Sequence, residues 1–208
     1  MKQRDDLLNA LKDVRVAYRV VTVFQRKVLD LCAAIRDQFD RRFYQWRPRD
    51  TDFPPQRNAN PTDGRWAWDF VPLYHFSILY AAPGDDTHVP RVGDCMLEIR
   101  LRADDGANLN SDKEPDATKF GPAERSSSTL SLLAWYCTRT QEGNSFYDIW
   151  DNMEWPKNGC TSVEFPESGI KVVGRSFDLA DLASPDAVSS AVNDFKELLR
   201  NQLDLKDL

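Results

Sequence analysis

Histidine is nearly missing from this chain: His75 and His88 are the only two in 208 residues. Cysteine is sparse too. Cys32, Cys95, Cys137 and Cys160 stand far apart, with no C-x-x-C pair. Zinc sites need clustered Cys and His at short spacings, so no metal ligand set is expected. Any Ser-His-Asp or Cys-His constellation would have to use one of the two histidines. His88 lies among prolines in a turn and reads as an exposed loop residue. His75 lies on a strand and reads as a half-buried, hydrogen-bonded residue. The glycine signatures of dinucleotide and phosphate-loop enzymes are absent, as are G-x-S-x-G and H-E-x-x-H. No cofactor is expected.

Long apolar runs are also lacking. The most apolar stretch, residues 70–82, contains Pro72 and His75 and is too short to span a bilayer. Met1-Lys2-Gln3-Arg4-Asp5-Asp6 leads into an amphipathic stretch rather than a secretory signal. A cytoplasmic location with no membrane partner is the resulting expectation. In that compartment isolated cysteines on apolar faces are expected as buried free thiols.

What is present suits a packed domain. Hydrophobic residues make up 41% and charged residues 29%, with six Trp and eleven Phe to fill a core. Arg outnumbers Lys by 18 to 9 and Asp outnumbers Glu by 25 to 8, a bias associated with GC-rich bacterial genomes. Net charge is −6, unevenly spread. Residues 1–50 hold 12 Lys/Arg and 7 Asp/Glu (+5), and residues 51–208 hold 15 and 26 (−11). The basic segment either lies on its own acidic body or is offered to an acidic partner. The acidic total argues against sequence-independent nucleic-acid binding, which depends on neutralising phosphates.

The spacing predicts one helix over 4–44. Leu7, Leu11, Val14, Tyr18, Val21, Val28, Cys32, Ile35 and Phe39 follow alternating steps of four and three, with Gln25 in the one polar slot. Residues 14–20 also alternate like a strand, but the helical period continues on both sides. A helix of 41 residues would reach roughly 60 Å on a body of about 40 Å. If straight, it must overhang or pack against another chain; the alternative is a hidden bend. Residues 45–65 are rich in Pro, Arg and Asn and read as a loop. Four strands are expected, over 66–81, 94–103, 128–140 and 169–179. In the second, Cys95, Leu97, Ile99 and Leu101 share one face, while Glu98, Arg100 and Arg102 share a solvated face of cross-strand ion pairs. A long polar loop follows at 104–127. The aromatic segment 141–168 has a short helix at 147–153. Ser184 caps a final helix that starts with Pro185.

The fold class is therefore α+β: a long N-terminal amphipathic helix (1–46) and an α+β domain (47–208) forming one structural unit. An antiparallel sheet of about four strands has a C-terminal helix packed on it. Arg41, Arg42, Trp46, Arg47 and Arg49 interleave arginines with aromatics and form the candidate binding patch. The function expected is non-catalytic: a protein-binding, regulatory or immunity-type cytosolic protein of bacterial origin. Its partner is another protein or a second copy, held through the N-terminal helix. The alternative is an enzyme or nucleic-acid-associated protein. Asp69, followed in the next strand by Glu98-Ile99-Arg100, resembles metal-dependent nucleases of the PD-(D/E)XK kind. In that family the acids hold a divalent cation and a lysine helps the water. Here Arg100 stands in place of the lysine, and a permanently charged guanidinium is a poor proton acceptor. That resemblance implies catalytic roles for Asp69, Glu98 and Arg100.

Overall fold

A computed structural model of the chain describes residues 2–62, 66–107, 114–153 and 161–203. Helix α1 spans Lys2–Arg36. Strands β1 (Arg42–Pro48), β2 (His75–Ala81), β3 (Cys95–Arg102) and β4 (Thr129–Cys137) follow, then helix α2 (Phe146–Asn152). Strands β5 (Ser162–Phe165) and β6 (Ile170–Asp178) and helix α3 (Pro185–Leu203) complete the described chain. The strands form one sheet in the order β1-β2-β3-β4-β6-β5. Every neighbouring pair is antiparallel.

The α+β class, the closing helix and the four expected strands are all present, and two further strands widen the sheet to six. The helix expected over 4–44 ends at Arg36. Residues 37–40 reverse the chain, and residues 42–48 pair with β2 as an edge strand instead of ending the helix or entering a loop. Phe39 continues the helical spacing but is buried from the turn, edge-on to Phe195 of α3 at 6.3 Å between ring centres. Burying that ring and pairing β1 with β2 outweighs one more turn of helix. The expected first strand is split. Residues 67–70 form a short 3₁₀ turn, and pairing begins at His75, beyond Pro72.

Alternation gives the sheet two different faces. One carries Phe76, Tyr80, Leu97, Ile99, Leu101, Leu130, Leu132 and Val173. It is covered by α3 and by the C-terminal part of α1, through Val28, Cys32 and Ile35. At one end of the opposite face, Leu79, Met96, Leu133, Trp135 and Val172 are covered by Phe146, Ile149 and Trp150 of α2. The other end of that face is polar. Helix α3 starts as expected, with the Ala187 amide donating to Ser184 Oγ at 3.2 Å. Cys32, Cys95 and Cys137 are buried free thiols, while Cys160 lies outside the described residues. No described helix is long and apolar enough to cross a membrane.

Candidate functional site

The polar end of the sheet is laid out by register. One row runs Arg47, Ser77, Arg100, Ser131, Ser176 across β1, β2, β3, β4 and β6, each directly opposite the next. The next row outward begins with Arg49, whose amide donates to the His75 carbonyl at 2.8 Å. It continues through His75, Arg102, Thr129 and Asp178. Neighbouring strands lie about 4.8 Å apart, so each row is a close line of side chains. Two rows thus bring four arginines, a histidine, four Ser/Thr hydroxyls and one aspartate onto one end of one face.

Glu98 anchors this arrangement from beneath. It is 0% exposed. Its Oε1 accepts from Ser77 Oγ at 2.6 Å and Arg100 Nε at 2.9 Å. Its Oε2 accepts from the indole nitrogens of Trp135 at 2.8 Å and Trp150 at 3.1 Å, and from Arg100 Nη2 at 3.3 Å. The solvated strand acid expected from alternation is therefore a buried hub. Alternation assigns the face correctly, but α2 brings Trp150 over that face and removes the water. A buried carboxylate is tolerable because donors surround it and a guanidinium matches its charge.

The other cations have distinct surroundings. Arg47 hydrogen-bonds Tyr147 Oη at 2.8 Å and forms an ion pair with Asp151. Arg49 lies over the Trp150 ring, 4.7 Å from its centre. Burial, reinforced by repulsion from Arg100, lowers its pKa to about 10. His75 Nδ1 lies 2.6 Å from Asp50 Oδ2. Burial outweighs this carboxylate and pulls the imidazole pKa below its ordinary value. The Arg102 side chain makes no hydrogen bond or ion pair with any described residue, and its Nε is buried.

The residues singled out from sequence do not form one site. Strand alternation sends Arg47 and Arg49 to the polar face, while Trp46, opposite Ile78, points to the other and packs edge-on to Phe53 at 5.1 Å. Arg41 donates to the Cys95 carbonyl at 3.3 Å, and Arg42 to the Asp85 carbonyl at 2.7 Å. The nuclease-like set divides as well. Asp69 is buried in the 3₁₀ turn, where Oδ1 accepts the Asp52 amide at 2.9 Å and Oδ2 the Trp66 amide at 3.2 Å. Among the described residues no group of three His, Cys, Asp or Glu is placed to hold a metal. Glu98 and Arg100 are joined, as sequence neighbours two apart on one strand face. Alternation places Arg102 on the right face but reads it as part of a solvated ion-pair face, and Ser131, Ser176 and the two indoles were missed. Only the register, set by long-range pairing, puts them in line.

A second feature lies on the opposite side. Every residue of α1 from 4 to 23 is exposed, including Leu7 (59%), Leu11, Val14, Tyr18 (72%) and Val21. The same seam is buried from Val28 onward. Where α1 meets the body, an apolar groove of about 440 Å³ runs between Leu29, Phe43, Trp46, Leu73, Phe76 and Ile78.

No solved structure matches the chain significantly. A protein of Pasteurella multocida (strain Pm70), named Uncharacterized protein PM0109, is 22% identical over 213 residues, covering 97% of this chain and 98% of its own length. The family model described as PM0109 matches residues 4–204, and the chain belongs to that family.

Proposed function

We propose that this is a non-catalytic, protein-binding protein of the regulatory or immunity type, and that the projecting half of α1 is its recognition element. The observation that carries the reading is the uncovered seam. A helix that stood alone would be expected to be polar outside its packed stretch. Here Leu7, Leu11, Val14, Tyr18 and Val21 keep the four-three spacing in solvent, and Val16, Val20 and Val23 add apolar surface on other sides. Exposed apolar surface of this extent marks an interaction site.

The occupant is a second copy of the chain. Helix α1 holds 8 Lys/Arg and 4 Asp/Glu (+4) and the rest of the chain carries −10, which suits helix-on-body contact between copies. Antiparallel pairing of two α1 helices carries the N-terminal half of each past Leu29 of the other and onto its apolar groove. Twenty helical residues form a cylinder about 30 Å long and about 11 Å wide. Covering one side of each helix and an equal area opposite it buries roughly 2,000 Å² in all, within the range of stable interfaces.

The surroundings of the acids also support a binding role. Both oxygens of Glu98 and of Asp69 accept hydrogen bonds from protein donors, as described above. Neither carboxylate is arranged as an open metal ligand. Light scattering on the purified chain tests the reading: a dimer is expected, and a monomer at micromolar concentration would remove its basis. Mg²⁺- or Mn²⁺-dependent DNA cleavage that is lost in Asp69→Asn would instead favour the nuclease.

A further inference from the structure

We propose that the polar end of the sheet binds a phosphoryl group, free or carried on a small molecule, with Arg102 as its principal anchor. The inference does not depend on what α1 binds. It starts from an imbalance. Of the four arginines in the two rows, Arg100 is matched by Glu98 and Arg47 by Asp151. Another nearby carboxylate, Asp50, is turned to His75. Arg102 has no partner among the described residues, although its Nε is buried, and its cross-strand neighbours His75 and Thr129 bear no negative charge at neutral pH. A half-buried guanidinium whose Nε has no acceptor, and which forms no ion pair with a described residue, is unfavourable, and an acceptor-only anion would relieve it. The other acids nearby each accept a backbone amide on one oxygen: Asp104 from Gly106, Asp105 from Ser127 and Asp178 from Ala180.

The chemistry around Arg102 narrows the ligand. Arg49 holds a second cation over Trp150 in the same row, and Arg100 lies two residues away on the same strand. Thr129 stands directly opposite Arg102 on β4, and Ser131 follows on the same face, 2.7 Å from the Ser176 hydroxyl. Guanidinium forks and hydroxyls are what a group with three or more acceptor oxygens requires, whereas a carboxylate offers two.

Calorimetric titration of the full chain at fixed ionic strength tests this, with inorganic phosphate, glycerol phosphate and acetate as separate probes. Saturable binding is expected for phosphate or glycerol phosphate, and which of the two binds tighter identifies the source. Affinity should fall about tenfold or more in Arg102→Gln, the usual cost of losing one charge-assisted pair. It should be unchanged in Arg175→Gln, whose guanidinium pairs with Asp194 on the other face. Circular dichroism checks the fold of Arg102→Gln. Should that variant fail to fold, Thr129→Val serves in its place and should also weaken binding. Absence of binding to both phosphates, acetate binding as tight as phosphate, or unchanged affinity in the folded variant would each overturn the proposal.

Discussion

Glu98 shows how far one residue's setting can depart from its sequence context. Its strand reads as half-buried, which suggests a surface acid whose loss would matter little. The carboxylate is instead enclosed by Ser77, Arg100, Trp135 and Trp150. Glu98→Ala should therefore destabilise the fold by about 3–5 kcal/mol, since it strands the charge of Arg100 and leaves two buried indoles without acceptors. Glu98→Gln, which keeps an acceptor, should cost less. Urea unfolding of the three proteins measures both. The thiols behave as their apolar neighbours suggest: burial pushes Cys32, Cys95 and Cys137 up to about 12. Native protein should react with a thiol reagent only slowly at these three positions, and rapidly after unfolding. His75 adds a pH dependence. Its folded pKa is lowered by burial, so the unfolded chain binds its proton more readily. Its contribution is fully present above the unfolded value near 6.5 and is lost as pH falls toward the lower folded value. Unfolding free energy should decline over that window, and less steeply in His75→Gln.

Among the elements, β2, β3, β4 and β6 were legible because two-residue alternation survives wherever one face packs against helices. The final helix was legible from Ser184 and Pro185. The strand β1 was not. A register shift between Phe43 and Gln45 breaks its alternation, and its arginines reach partners distant in sequence, such as Tyr147 and Asp151. Strand β5 is four residues long, too short for a period to show. The candidate site was half legible: Glu98 with Arg100 stood out, but cross-strand rows depend on register and strand order, which no local pattern encodes. Helix α1 behaves as two elements in one. Val28→Asp places a charge in the core and should prevent folding or cost several kcal/mol, whereas Val14→Asp, on the exposed half, should leave monomer stability within about 0.5 kcal/mol. Thermal unfolding at low protein concentration distinguishes the two.

At the scale of the whole molecule, two forces act on α1, and they respond oppositely to salt. The apolar seam from Leu7 to Val21 favours association in any buffer, and strongly excluded salts such as sulfate strengthen it. The +4 helix and the −10 remainder attract across copies only while their fields are unscreened, over about 10 Å at 0.1 M salt and about 3 Å at 1 M. If helix-on-body contact holds two copies together, sodium chloride should weaken the dimer chiefly by slowing its formation, because steering charges act on the association rate. Pairing of helix on helix alone would bring two basic segments together, and added chloride would then strengthen it. Light scattering and dissociation kinetics from about 0.05 to 1 M sodium chloride separate these arrangements. The expected outcome is a dimer that persists at high salt with a raised dissociation constant and a dissociation rate nearly unchanged. Val14→Asp with Val21→Asp should abolish it at every salt concentration, because burying two carboxylates in the seam costs more than the charges of the surrounding arginines return. A dimer that tightens steadily with chloride would refute the helix-on-body arrangement while leaving the seam as the contact.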